Sequence, residues 1–300
     1  MINNFNFETN FKLANISSLF LVFASVFMIF FKGLNFGIDF KGGTLIELRC
    51  DSENIQISDV RASFNNLNLG DVNVKEFGKK GDYLIKFERK NFDETNSIKI
   101  IKENVKNKLQ GNIDFRRVEN VGPKVSKELL ESGLLAISLA LAAMLFYIWV
   151  RFEWQFSIGS IIAIFHDVLI TIGLFSLLSL EINLSIVAAV LTIVGYSMND
   201  TVVIYDRIRE NLMKYSSLKI GEISNKSINE TLSRTIITST TTLLALVSIF
   251  ILGGEVLKGF SLAMIIGVII GTYSSIFVAS PILKYLNVSY KTISKEKEKN

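Results

Sequence analysis

The apolar residues of this chain fall into six separated runs, Leu13–Phe31, Gly133–Val150, Phe156–Ser179, Asn183–Tyr205, Ile236–Gly253 and Gly259–Leu283. Each approaches or exceeds the roughly 20 residues that an α-helix needs to cross a bilayer. The pattern predicts six membrane-spanning helices. A cleaved signal peptide would have a shorter apolar core followed by a small-residue cleavage site. The first run is longer and is followed by Lys32-Gly33-Leu34-Asn35, so it is expected to be a retained span.

Between the first and second runs lies a polar region with a different periodicity. Thr44–Asp51 places Ile46, Leu48 and Cys50 on one face, as a strand does. Ser58 is expected to cap a helix carrying Val60, Phe64 and Leu67. Asp71–Phe77 and Tyr83–Glu88 read as strands joined by the turn Gly78-Lys79-Lys80-Gly81-Asp82, with Tyr83, Ile85 and Phe87 alternating inward. Asp93–Leu109 is helical, with Ile98, Ile101, Val105 and Leu109 at three-to-four spacing, and Ile113–Val118 closes with a strand. The order β-α-β-β-α-β predicts a small α+β domain of ferredoxin-like arrangement. The expected organisation is therefore an N-terminus and first span (1–32), a ferredoxin-like domain with connectors (33–125), a membrane domain of five further spans (126–285) and a basic tail (286–300).

Overall hydrophobic content, 49%, is ordinary; only its segregation into runs marks a polytopic α-helical membrane protein. The net charge of +4 matters through its placement. An even number of spans puts both termini on one side. That side carries Lys12, Arg151, six cations from Arg207 to Arg234 and five from Lys284 onward, against Lys258 alone in the opposite short loops. The bias predicts cytoplasmic termini and an external ferredoxin-like domain, residues about 33–128. The single cysteine, Cys50, permits no internal disulfide and is expected to be a small buried residue.

Three acidic or basic groups and the only histidine lie in or at the spans. Asp200, preceded by Asn199, stands near the far end of the fourth run, and Arg234 opens the fifth, ahead of Thr238-Ser239-Thr240-Thr241-Thr242. A charge in hydrocarbon costs roughly 2.5–3.5 kcal/mol, so such groups face a partner or a wet cavity and mark ion pathways. Asp200 and Arg234 are expected at matching depth on antiparallel helices, paired in one state and separated when the carboxylate is protonated, with Thr238 on the arginine's face. His166 and Asp167 sit about 15 Å into the third span, as a hydrogen-bonded network or a proton relay. Gly267 and Gly271, in a row of small residues from Ala263 to Ala279, predict close helix packing. Glycines in the two connectors, Gly37–Gly43 (with Asp39, Gly42 and Gly43) and Val121-Gly122-Pro123, are candidate hinges.

The segments GIDFKGG (Gly37–Gly43), VENVGPKVSKEL (Val118–Leu129), HDVLITIGLFSLL (His166–Leu178), GYSMNDTVVIYDRIREN (Gly195–Asn211) and RTIITSTTTLL (Arg234–Leu244) together resemble the SecF branch of the SecD/SecF family, in family order across nearly the whole chain. The resemblance implies one half of an RND-superfamily membrane fold. It implies a bacterial inner-membrane, non-enzymatic accessory subunit of the Sec translocase. The implied partners are SecD, the SecYEG channel with associated subunits such as YajC, SecA indirectly, and the translocating preprotein, with no nucleic acid. It also implies use of the proton motive force, through motion of the external domain, without a bound cofactor and with the proton as coupling ion. The family's essential aspartate and arginine fall on Asp200 and Arg234. The competing reading is half of an RND-type small-molecule or ion transporter. An intramembrane enzyme is disfavoured by the single histidine and the lack of a paired-histidine metal signature.

Overall fold

A computed structural model describes residues 5–51, 55–65, 67, 69–70, 72–76, 78–87, 94–109 and 112–297. Along the chain it gives α1 (Phe11–Lys32), β1 (Asn35–Phe36), α2 (Ile38–Lys41), β2 (Gly43–Cys50), α3 (Ile57–Asn65), β3 (Val72–Glu76), β4 (Asp82–Phe87), α4 (Glu94–Lys108) and β5 (Ile113–Val121). The second half is helical: α5 (Pro123–Arg151), α6 (Trp154–Leu177), α7 (Leu184–Lys214), α8 (Ile220–Leu252), α9 (Gly254–Ser274), α10 (Ser280–Tyr285) and α11 (Tyr290–Lys297), with a two-residue strand β6 (Glu181–Ile182) before α7. The chain forms two compact units, Met1–Asn35 with Ala136–Asn300, and Phe36–Leu135.

The second of these is the expected ferredoxin-like domain. Its antiparallel sheet has the order β3-β4-β2-β5. Alternation puts Ile46, Leu48 and Cys50 of β2 and Tyr83, Ile85 and Phe87 of β4 on one face, where they bury against Val60 and Phe64 of α3 and Ile101 and Val105 of α4. The opposite face carries Glu47, Arg49, Leu84 and Lys86. Burial pushes the Cys50 thiol up to about 11, so it is an inert core group. A register shift at Glu47/Leu48 bulges β5 and brings Arg116 to 3.6 Å from the buried Asp82.

Two local expectations change. Ser58 lies inside α3; the helix starts at Ile57, and Asp59 in its first turn reaches back to accept the Gln56 backbone N–H at 3.0 Å. The closing strand runs on to Val121, so the second connector shrinks to Gly122 before Pro123 starts α5, a helix position where its missing N–H costs nothing. The expected end residues Asp71, Phe77, Glu88 and Asp93 lie outside the described residues.

In the membrane unit six helices are long and apolar enough to cross a bilayer. They sort into two classes. The most apolar windows of α6, α7 and α9 with its continuation are 56%, 50% and 56% buried, whereas those of α1, α5 and α8 are only 11%, 6% and 17% buried. Three helices thus form the centre and three present most of their surface outward. Central packing relies on small residues: a Cβ at Gly173 would stand 2.3 Å from that of Ser25 on α1, and one at Gly267 2.3 Å from Ile193 Cγ1 on α7. The tail is not extended; Val288 and Ile293, beside and within α11, are buried in the main apolar cluster.

Candidate ion-coupling site

α7 and α8 both continue well past their apolar runs, through polar stretches after Tyr205 and before Ile236 that hold no proline. Arg234 therefore stands mid-helix rather than at a helix start. Charged side chains tie the two helices together along this extension. Arg207 Nε donates to Glu230 at 2.6 Å, Asn211 Nδ2 donates to the same Glu230 oxygen at 2.7 Å and to Ser227 at 2.9 Å. At the N-cap of α6, the buried Glu153 is reached by Arg209 at 3.2 Å. The segment before α1 is strapped to α8: Phe5 exchanges two amide hydrogen bonds with the Asn229 side chain, and the Phe7 N–H donates to Asn225 at 2.7 Å. None of these contacts was foreseen from the sequence, where i, i+4 charges on one helix are visible but partners on another are not.

Two turns of α7 from Arg207, Asp200 is 3% exposed and its Oδ2 has no hydrogen-bond partner. Arg234 is exposed on α8, and among the described residues no ion pair joins the two. The expected Asp200–Arg234 ion pair is not closed in this state, although the guanidinium stands near enough for its charge to act on the buried carboxylate. Thr238 does not bridge them. Its hydroxyl donates to the Arg234 and Thr235 carbonyls, the usual bond of a threonine inside a helix. Asn199 is exposed and lines a groove of about 420 Å³ between α5 and α7, with Met144, Tyr147, Gly195 and Met198.

His166 and Asp167 lie one layer deeper, facing α7 and α9. His166 Nδ1 is 2.8 Å from Asp167 Oδ1, and Asp167 Oδ2 accepts from Ser197 Oγ at 2.5 Å and Ser274 Oγ at 2.8 Å. Ser275, next along, shares a 2.9 Å hydrogen bond with Thr201. A π-turn, Ser275–Ala279, begins here, just before Pro281, which has no N–H to continue an α-helical ladder. Ser197, Ser274 and Thr201 were not singled out from the sequence; serine is common in membrane helices and its spacing alone does not tell a ligand from a packing residue. Gly271 approaches Ser197, with a built Cβ 2.9 Å from Ser197 Cβ.

The connector residues lie within the ferredoxin-like unit. Gly42 (φ 80°) and Gly43 (φ 130°) adopt backbone conformations that strain any L side chain, whereas Gly37 (φ −74°) does not. A Cβ at Gly42 would lie 3.4 Å from the Val121 carbonyl and 3.5 Å from Pro123 Cα. Ser126 Oγ bonds the Ile38 and Gly122 carbonyls, so both connectors meet in one packed joint. Asp39 sits in the first turn of α2.

Two family models match the chain: the C-terminal model of the protein-export membrane proteins SecD/SecF over residues 100–289, and the SecD/SecF GG motif over residues 27–53. The chain is 46% identical to the protein translocase subunit SecF of Rickettsia bellii over 93% of its own length and 92% of the relative's. It is also 46% identical to that of Cereibacter sphaeroides, over 90% and 86%. It is similar to the crystal structure of SecDF from Thermus thermophilus, with TM-score 0.85 and 35% identity, covering 95% of this chain and 39% of that one. A SecDF structure in a super-membrane-facing form gives TM-score 0.71 and 33% identity, covering 41% of that chain. The chain thus spans about two fifths of each SecDF polypeptide. It is a multi-pass membrane protein that belongs to the SecD/SecF family of protein-export membrane proteins.

Proposed function

We propose that this chain is the SecF half of a two-part accessory complex of the Sec translocase. It pairs with SecD at the SecYEG channel, alongside subunits such as YajC and downstream of SecA, and uses the proton gradient to promote preprotein export. The observation that carries the reading is the separated pair: a buried Asp200 oxygen without a partner, and an exposed Arg234 on a helix of the membrane unit. Leaving such a guanidinium in lipid costs roughly 2.5–3.5 kcal/mol, and a second membrane half packed on α8 removes that cost. The SecDF neighbours, more than twice this chain's length, are consistent with such a half.

In this reading the proton binds Asp200, Arg234 approaches or leaves it accordingly, and Asn199 and Thr238 line the approach. The difference between the two states is transmitted to the external domain, whose Gly42–Gly43 joint supplies the hinge. Each charge moved through 100 mV supplies about 2.3 kcal/mol, enough to bias two arrangements of a domain substantially. The chain lies in the bacterial inner membrane with cytoplasmic termini. It acts as a transport subunit rather than an enzyme.

The test is Asp200→Asn in a strain lacking the native copy. The amide is nearly isosteric and cheaper to bury, so expression and co-purification with SecD are retained. Export loses its response to the proton gradient. Gradient-stimulated export at the wild-type level would remove Asp200 from the mechanism.

A further inference from the structure

The His166–Asp167 pair has a feature that packing does not require. Asp167 is 1% exposed and both its oxygens are occupied, by His166 from its own helix, Ser197 from α7 and Ser274 from α9. Ser197 gives its single proton to the carboxylate, and Ser274 directs its own there at 2.8 Å with the Gly271 carbonyl as the farther acceptor at 3.1 Å, an arrangement suited to the ionised acid. A carboxylate has no proton to give, so the hydrogen in the 2.8 Å contact belongs to Nδ1, and Nε2 presents a bare lone pair. That nitrogen is buried and has no partner. An orphaned buried acceptor is costly. The site as a whole, a neutral ring beside a carboxylate, also holds an uncompensated negative charge away from water.

The charge cost falls if Nε2 gains a proton, which turns the orphaned acceptor into a donor. We propose that His166 and Asp167 form a second proton-binding site of the membrane unit, in which His166 Nε2 takes the proton and Asp167, held by Ser197 and Ser274, balances the imidazolium. One N–H bond forms, no bond within the protein breaks, and the net charge of the pair goes from −1 to zero. Histidine is the side chain whose ordinary titration lies closest to neutrality.

The groups facing the ring from each packed helix leave the proton no other destination. α9 contributes Tyr273, stacked on the imidazole at 6.2 Å and 25° between planes. Its hydroxyl is turned away, donating to the Ala14 carbonyl at 2.9 Å and sharing a hydrogen bond with Ser18. α1 offers only the hydroxyls of Ser17 and Ser18 there, and α7 offers Ser197. Among the described residues no lysine or arginine pairs with Asp167. The site also touches the helix of Asp200: Ser275, beside the Asp167 ligand Ser274, bonds Thr201, the residue after Asp200. Only this last consequence, coupling to export, rests on the function proposed above; binding of the proton does not.

His166 is the sole histidine of the chain, so ring-nitrogen labelling reads this site alone. The full chain, purified with a histidine-free tag and placed in lipid nanodiscs, is grown on ¹⁵N-histidine and followed by solid-state NMR across roughly pH 8 to 5. The expected spectrum shows the Nδ1–H tautomer with a bare Nε2 at the upper end. At the lower end the two nitrogen signals converge as both become protonated. In Asp167→Asn that convergence is lost over the same range, because the counter-charge is gone. A ring that keeps one neutral form throughout, an Nε2–H tautomer at the upper end, or an Asp167→Asn ring that protonates like the wild type overturns the proposal. The spectrum reports the proton directly, so its result is independent of whether Asp200→Asn affects export.

Discussion

Gly159 and Tyr205 provide a sharp test of how the central helices are fitted together. Tyr205 on α7 is completely buried, its ring held edge-on by Phe156 at 5.0 Å and by Phe152 at 6.2 Å, and its hydroxyl donates to the Ala279 carbonyl in the π-turn at 3.0 Å. Gly159 on α6 faces that hydroxyl: a Cβ there would stand 2.2 Å from Tyr205 Oη, 3.3 Å from the Ala279 oxygen and 3.4 Å from Tyr205 Cζ. Gly159→Ala therefore forces either the ring or the helix to move, and overpacking of this kind costs about 1–3 kcal/mol. Tyr205→Phe removes the hydroxyl and its hydrogen bond to the Ala279 carbonyl, a loss of about 0.5–1.5 kcal/mol.

The double variant separates the two effects. Without the hydroxyl, the nearest ring atom to the new methyl is Cζ at 3.4 Å, an ordinary contact. Gly159→Ala/Tyr205→Phe should then be about as stable as Tyr205→Phe alone, and more stable than additivity allows by roughly 1–3 kcal/mol. Thermal unfolding of the four purified proteins in one detergent, followed by intrinsic fluorescence, gives the cycle. An additive double variant would show that the methyl is accommodated elsewhere and that the hydroxyl does not set the α6–α7 spacing.

Arg234→Lys keeps a charge but loses the planar fork that grips a carboxylate through two bonds, so it should retain part of the gradient-driven export, whereas Arg234→Met should retain none; equal activities would show that guanidinium geometry is irrelevant. The ferredoxin-like unit, produced alone as residues 36–121, should give a dispersed NMR spectrum, and a disordered one would refute its independence. In that domain burial, with Lys75 and Arg117 adding and Asp39 opposing, pushes Lys86 down to about 8. Its unfolded value is about 10.4, so the folded state sheds the proton first and this residue's contribution to stability rises with pH between those values. The stability of Lys86→Met minus that of the wild type should accordingly fall from pH 8 to about 10.4, a comparison in which the opposite drift from Cys50 cancels. A difference independent of pH would place Lys86 in water.

The parts legible in the sequence are those fixed by periodicity. Alternation of Tyr83, Ile85 and Phe87 requires a half-buried strand, and six apolar runs require six spans, because both follow from main-chain geometry alone. The adjacency of His166 and Asp167 was visible too. Their ligands were not, since Ser197 and Ser274 are brought in from 30 and 107 residues away by helix packing. The Asp200–Arg234 pair stays open in this state for a related reason. Matching depth on neighbouring helices fixes height but not azimuth, and about 100° of rotation per residue decides which way each side chain faces. Ser58 failed as a cap because the helix already begins at Ile57, with Asp59 reaching back to the Gln56 N–H. The hinge glycines show the same limit. The sequence marks Gly37, Gly42, Gly43 and Gly122 alike, and only the backbone angles separate Gly42 and Gly43 as positions where glycine is needed.

Polar groups in the membrane unit divide by how they are satisfied, and the division locates what the single chain lacks. Inward groups find partners on other helices: Asp167 with Ser197 and Ser274, Thr201 with Ser275, Ser239 with Thr272. Outward hydroxyls on α8 satisfy themselves, since Thr238, Thr241 and Ser248 each donate to the carbonyl four residues back and so can face hydrocarbon at little cost. Arg234 has no such recourse. A guanidinium carries five donors and cannot shed its charge, more than a single helix carbonyl can satisfy. Asp200 is the complementary remainder, a buried acceptor with an open valence. Other unpartnered buried atoms lie on α6, at Gln155, Ser157, Ser160 and His166, so Arg234 differs from them in being exposed. A partner that covers α8 with a polar or hydrated surface at the level of Arg234 would lower the energy of that residue, and one that covered it with aliphatic side chains would raise it. The chemistry of that surface is constrained by Arg234 before any partner is placed there.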